Sequence, residues 1–266
     1  MRPILAAVLS ACLAASALPR GAAAAQTVDA RYSVQTMGVD MGRATLQVDR
    51  ATDGVTTRFR FENDALLGFV EASDLQMRSV VAPGRGKVLP KLFEGNYNKD
   101  DRVREVDLAY GAGGAIDGYQ LIKRGRVRVD AVPQGLATGT LDPLAALLQI
   151  RAWLDQAPEG AELAIPVFDG RKRYDATLRY LGLTQVTSVG GTAPAHTIAL
   201  RYRLVASLDE DTGKFAPEPA ARLREMQLAV SADGRYVPLR LDGSLDGLPI
   251  TAVIEGDCAG PSGCAN

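Results

Sequence analysis

Arg173-Tyr174-Asp175-Ala176-Thr177-Leu178-Arg179-Tyr180 is the stretch whose reading decides the fold. In an extended chain Tyr174, Ala176, Leu178 and Tyr180 face one way, and Arg173, Asp175, Thr177 and Arg179 face the other. Such a strand must bury one face and wet the other, which antiparallel sheets allow; strands of parallel sheets read instead as unbroken apolar runs. The same alternation spreads outward. Downstream, His196, Ile198, Leu200, Tyr202 and Leu204 oppose Thr197, Ala199, Arg201 and Arg203. Upstream, Val28, Ala30, Tyr32 and Val34 oppose Asp29, Arg31, Ser33 and Gln35. Gly42, Ala44, Leu46 and Val48, then Val55, Thr57, Phe59 and Phe61, continue the pattern. Asp53-Gly54, Asp117-Gly118, Asp169-Gly170, Asp233-Gly234 and Asp242-Gly243 read as turns between strands. About a dozen strands follow from this spacing.

One segment departs from period two. Asp142 suits a helix N-cap and Pro143 its first turn. Leu144, Leu147, Leu148, Ile150, Trp153 and Leu154 occupy much of the circumference through Asp155, so the helix is expected to be largely enclosed. Pro158 and Gly160 end it.

Two segments match without gaps: Gly86-Lys87-Val88-Leu89-Pro90-Lys91-Leu92-Phe93-Glu94-Gly95 and Gly234-Arg235-Tyr236-Val237-Pro238-Leu239-Arg240-Leu241-Asp242-Gly243. They read either as equivalent strands of two half-sheets or as chance convergence of strand and turn chemistry. Proline within a strand belongs at an edge, a bulge or a non-donating position.

Residues 1–25 read as a cleavable secretory signal. Arg2 is the basic start, Ile4 to Leu18 an uncharged apolar run, and Ala23-Ala24-Ala25 before Gln26 the cleavage site. Leu9-Ser10-Ala11-Cys12 has the form of a lipobox. Its cysteine follows only a short apolar run, so the leading reading is a small hydrophobe inside the signal, with a lipoprotein anchored at Cys12 as the alternative. The expected organisation is signal 1–25, a single β domain 26–256 and a tail 257–266 carrying Cys258 and Cys264. A cysteine pair in an oxidising compartment predicts a disulfide. No later segment is long and apolar enough to span a membrane as a helix. After cleavage at Ala25 the chain holds 28 basic and 31 acidic residues, too balanced to draw it to nucleic acid.

The sequence from about Tyr32 to Ile254 resembles a bacterial envelope family, domain of unknown function 3108. The likeness rests on Tyr32-Ser33-Val34 with Gly38 and Gly42, on Pro90 and Phe93, and on Leu141-Asp142-Pro143-Leu144 ahead of Arg151. Its most specific part is Ile165-Pro166-Val167-Phe168-Asp169-Gly170-Arg171-Lys172-Arg173-Tyr174-Asp175, and Pro238 completes it. The resemblance implies a periplasmic protein with a long curled antiparallel sheet around a helix, similar to the half-barrels of lipoprotein-localisation carriers. It supplies no catalytic residue and no ligand. The expected fold is therefore mainly β: a single antiparallel curled sheet or partly open β-barrel wrapped around one central α-helix.

Chemistry is sparse. The one histidine, His196, shares a side with Ile198 and Leu200 and reads as a core residue with a hydrogen-bond partner. No G-x-S-x-G elbow is present. Asp209, Asp211 and Gly213 fall short of a calcium loop, whose further oxygen ligands are missing. Lys123, Arg124, Arg126 and Arg128, and Arg171-Lys172-Arg173, read as wet strand faces and turns, or else as contacts for anionic headgroups. No catalytic residue, metal site or cofactor is expected, and no enzyme activity. Two functions remain. One is a periplasmic protein holding a lipid or other apolar ligand in a curled-sheet groove, with Phe59, Phe61, Leu148 and Trp153 as candidate contacts. The other is an envelope interaction module that offers a sheet edge to a protein partner.

Overall fold

The computed structural model describes residues 27–63, 73–84, 87–99, 102–129, 131–188, 191–209, 212–218, 223–245 and 248–259. The signal segment, the Ala25–Gln26 junction, Cys12, Asp211 and Cys264 lie outside these residues, and with Cys264 the expected disulfide. The chain opens as a meander: β1 (Thr27–Thr36), β2 (Val39–Ala51), β3 (Gly54–Asn63), β4 (Ser73–Ala82), β5 (Leu89–Lys99), β6 (Arg102–Tyr110), β7 (Ile116–Lys123) and β8 (Arg126–Val129). Two short helices follow, α1 (Gln134–Ala137) and α2 (Pro143–Leu154). Then come β9 (Glu162–Phe168), β10 (Lys172–Ser188), β11 (Gly191–Asp209), β12 (Lys214–Pro217), β13 (Arg224–Ser231), β14 (Pro238–Leu245) and β15 (Leu248–Ala259). β15 runs three residues past the expected domain boundary at 256, and Cys258 pairs in register with Asp29 of β1.

All the strands belong to one sheet, ordered β8-β7-β6-β5-β4-β3-β2-β1-β15-β14-β13-β11-β10-β9, with β12 paired to β11 alone. The strand pairs are antiparallel, as the alternation requires. Ala44, Leu46 and Val48 of β2 are buried, as are Ala176, Leu178 and Tyr180 of β10, while Asp175 and Thr177 stay more open. The sheet curls without closing: β8 and β9 end the order and do not pair with each other. Side chains bridge the gap instead. Phe168, at the end of β9, is fully buried against Phe93, Val106, Leu108 and Leu121 of β5, β6 and β7. The Tyr119 hydroxyl on β7 donates a 2.6 Å hydrogen bond to the Gly170 carbonyl in the β9–β10 turn.

Asp53-Gly54, Asp169-Gly170 and Asp233-Gly234 do stand at turns. Asp117-Gly118 and Asp242-Gly243 do not; they lie within β7 and β14. The β6–β7 turn is made by Gly111 to Ala115, where the Gly111 N–H donates to the Ala115 carbonyl and Gly114 takes a φ of +75°. The two matching segments share the placement of their prolines. Pro90 pairs with Val81 and Pro238 with Val230, each just beyond a register shift in its strand pair. A bulge is where a missing N–H does least harm.

α2 forms where the sequence expects a helix. The Asp142 carboxylate accepts hydrogen bonds from the Leu144 and Ala145 N–H groups at 3.0 and 2.8 Å. Leu144, Ala145, Ala146, Ile150 and Leu154 are buried. Ala146, Ile150 and Leu154 join Ile165, Leu178, Ile198 and Leu228 in one apolar cluster, and Leu147 and Leu148 pack against a second built on β1 and β2. Full burial of a side chain of this size is worth roughly 1.5–3 kcal/mol. Tertiary packing therefore outweighs the marginal stability of so short a helix in water.

Candidate functional site

Two spaces adjoin α2. The first is a small, partly enclosed and mostly apolar cavity of about 40 Å3 between the helix and the sheet, bounded by Leu46, Val48, Leu147, Ile150, Leu228 and Val237 among others. It has room for roughly one water molecule. The second is a cleft of about 400 Å3, open to solvent, between α2, the ends of β2 and β3, and the connection from β4 to β5. That volume falls within the range of small-molecule sites. Val55, Val81, Val88, Leu148 and Ala152 form its apolar wall, and Arg50, Lys87, Arg151 and Asp155 its charged rim. Arg50, Leu148 and Arg151 line both spaces, so these side chains form the partition between them.

Local sequence explains the arrangement. Leu148 and Arg151 are three residues apart on α2 and share a face. Arg50 stands near the end of β2, just before the Asp53-Gly54 turn. Gln149 ties the helix to the cleft's far wall, its Oε1 accepting a 3.2 Å hydrogen bond from the Val88 N–H. The Arg151 guanidinium lies 5.7 Å from the Tyr236 ring centre and donates weakly, at 3.5 Å, to the Gly234 carbonyl. Its Nη1 is buried and has no hydrogen-bond partner among the described residues. Asp155 faces Tyr236, whose hydroxyl pKa is raised by burial and then by Asp155.

A larger open space lies elsewhere, a trough of about 600 Å3 on the wet face of β2 to β6. Its cations are already matched: Arg58 meets Asp49, Arg60 meets Glu62, and Arg78 meets Glu94 at 2.8 Å. Burial, then Glu94 and Glu105, raise the Asp107 pKa there. Exposed ion pairs of this kind contribute little, and no arginine of the trough is left without a carboxylate.

Of the four candidate contacts, Phe59, Phe61 and Leu148 pack against the cluster built on β1 and β2. Trp153 does not join them. It packs against the other cluster, edge-on to Tyr180 with ring centres 6.5 Å apart. His196 Nδ1 lies 2.7 Å from the Tyr180 hydroxyl, and burial lowers the ring's pKa. The first basic run forms the β7–β8 hairpin, turning at Arg124 and Gly125, both with positive φ. In the second, Arg173 pairs with Asp175 at 2.9 Å, and the Arg171 and Lys172 N–H groups donate to Asp169. Asp209 belongs to a hairpin tip, its carboxylate accepting from the Thr212 N–H.

Comparison with known proteins fits this architecture. A family described as a protein of unknown function, DUF3108, matches residues 31–247. The chain belongs to this family. No curated protein matches the sequence. Among solved structures, a β-barrel-like protein of the domain of unknown function DUF1849 from Brucella abortus superposes with a TM-score of 0.59 at 14% identity, over 89% of this chain and 98% of that one. It shares the fold of this DUF3108 protein. A Parabacteroides distasonis protein described as a candidate lipoprotein is 10% identical with a TM-score of 0.34, over 88% of this chain and 95% of that one. A candidate exported protein with a YmcC-like fold from Bacteroides fragilis is 9% identical with a TM-score of 0.33, again over 88% and 95%. Scores this low do not establish a shared fold. No helix among the described residues is long and apolar enough to cross a membrane.

Proposed function

We propose that this DUF3108 protein is a non-enzymatic periplasmic protein that binds a lipid or similar apolar ligand in the cleft beside α2. In this reading the sheet curls around the helix, and the helix acts as its plug. The observation that carries the reading is the shared wall: among the described residues Arg50, Leu148 and Arg151 border both the small apolar cavity and the open cleft. A chain lying along Val55, Val81, Val88 and Leu148 loses contact with water, at roughly 0.8 kcal/mol per methylene before the costs of binding. The interior cavity, at about 40 Å3, admits no such chain until the helix shifts, so the ligand sits first in the cleft.

The test is native mass spectrometry and lipid extraction of protein isolated from periplasm, beside a Leu148→Trp variant that fills the cleft. The reading expects co-purifying lipid that the folded variant lacks. Wild-type protein that carries no lipid and binds none when it is supplied would overturn it.

A second reading rests on β8. Its outer edge has no strand partner among the described residues, and Val127 is 56% exposed there. β9, at the other end, is covered in part by Leu141, whose N–H and carbonyl bond to Pro166 and Phe168. An unpaired edge can accept a strand from a partner protein, so the chain would act as an envelope interaction module. A Val127→Pro variant blocks strand addition and leaves the cleft intact, which separates the two readings.

A further inference from the structure

We propose that the cleft beside α2 selects an anionic amphiphile, taking its acidic headgroup between Arg50, Lys87 and Arg151 and its acyl chain along Val55, Val81, Val88 and Leu148. This rests on the apolar-ligand reading above and names the ligand class. The charge pattern is what points to it. Several arginines elsewhere on the sheet stand beside carboxylates: Arg58 with Asp49, Arg78 with Glu94, Arg173 with Asp175, Arg240 with Asp242. Arg50, Lys87 and Arg151 form no ion pair among the described residues, yet they converge on one rim. Among the described residues that rim holds one carboxylate, Asp155, which lies toward Tyr236 on the side where the Arg151 guanidinium also sits, so three cations stand against one acid. The rim is therefore left with a surplus of positive charge.

Arg151 adds a second observation. Its Nη1 is shut off from solvent without an acceptor, a position that costs free energy unless something supplies one. A carboxylate or phosphate oxygen would do so, and a guanidinium suits such oxyanions in shape as well as charge. Leu148, one turn back on the same helix face, begins the apolar wall. Head and tail sites are thus adjacent, which a free inorganic anion would not need and an uncharged lipid would not use.

Isothermal titration calorimetry tests this with lysophosphatidylglycerol and lysophosphatidylcholine of equal chain length, each below its micellar concentration, and with inorganic phosphate. The expected result is binding of the anionic lysolipid at least about tenfold tighter than the zwitterionic one. That preference should shrink as salt is raised. Arg50→Gln with Arg151→Gln should abolish the preference while zwitterionic binding persists. Lys87→Gln, at an exposed position, should reduce it by about threefold with the fold untouched, which covers the case of a double variant that fails to fold. Leu148→Trp should weaken both lysolipids alike. Equal wild-type affinity for the two lysolipids would overturn the headgroup assignment and leave the apolar-ligand reading standing. Binding of neither would overturn both. Phosphate binding as tight as that of the anionic lysolipid would reveal a bare anion site and overturn the amphiphile.

Discussion

The Ser79 hydroxyl on β4 donates a 2.9 Å hydrogen bond to Oδ2 of Asp142, and neither side chain has any exposed surface. Asp142 thus caps α2 with one oxygen and fastens it to the sheet with the other. Burial pushes its pKa up to about 6, against the opposing pull of the Ala145 N–H, the Ser79 hydroxyl and the Leu144 N–H. An unfolded aspartate titrates near about 3.9. The folded state therefore holds the proton more tightly, and this group's stabilising contribution is complete below about pH 4 and lost as pH rises through about 6. The loss should be on the order of 3 kcal/mol. Urea unfolding at about pH 5 and about pH 7.5 should show wild type losing more stability with rising pH than Asp142→Asn, which mimics the protonated form. Parallel pH profiles for the two proteins would refute the shift. Asp142→Ala at the lower pH should cost about 1–2 kcal/mol, since it orphans two helix N–H groups.

His196 has the opposite sign. Burial lowers its pKa, so the fold prefers the neutral ring, and this contribution is lost as pH falls through the unfolded value of about 6.5. With a single histidine in the chain, one pair of imidazole resonances reports it without assignment. A proton NMR titration should place the native midpoint below about 6.5, and a midpoint at or above that value would contradict the burial described here.

The alternation in Arg173 to Tyr180 was enough to read an antiparallel sheet, because a strand's two faces are written in consecutive residues. The helix from Pro143 was equally legible, since its cap and its apolar run are local. The turns were only partly so. Gly118 and Gly243 sit in strands because of what lies opposite: a Cβ there would come within 3.2 Å of Ala109 and 2.6 Å of Met226. Glycine for close approach and glycine for a turn look alike until the strand register is known. The same limit applies to the site. Leu148 was recognisable as an apolar helix residue, but Arg50, Lys87 and Arg151 belong to β2, a connection and α2. Only the tertiary fold brings them to one rim. Trp153 shares the helix with Leu148 but projects from a different side of it, and packs against the other cluster.

The Tyr119 hydroxyl closes the sheet's open side by reaching the Gly170 carbonyl in a buried 2.6 Å hydrogen bond. Tyr119→Phe keeps the ring among Phe168 and Phe215 but leaves that carbonyl without this donor. The expected cost is about 1–2 kcal/mol. Because β8 and β9 share no backbone ladder, the effect should be regional. Amide hydrogen exchange should quicken in β6 to β9 well before it does in β1, β2 and β15. Uniform acceleration across the sheet would argue that the ends are not held by this contact.

Gly170 is where this closure is least tolerant. Its φ is +87°, a region that side chains rarely adopt, and an added Cβ would lie 2.0 Å from Cγ1 of Val106 on the opposite end of the sheet. Val106 is itself fully buried, so it has nowhere to retreat. Gly170→Ala therefore carries two separable penalties: a backbone cost of about 1–2 kcal/mol from the left-handed conformation, and an overpacking cost of about 1–3 kcal/mol from the clash. Val106→Ala alone should also destabilise, by the cavity it leaves. Combined, the two substitutions should fall short of additivity, because the shortened side chain at 106 gives the new methyl its room. A double-mutant cycle by urea unfolding should find the pair more stable than the sum of the single losses by about 1 kcal/mol or more, with the backbone cost persisting. Strict additivity would mean that β6 and the β9–β10 turn do not pack as described, and that the two ends of the sheet are held apart in solution.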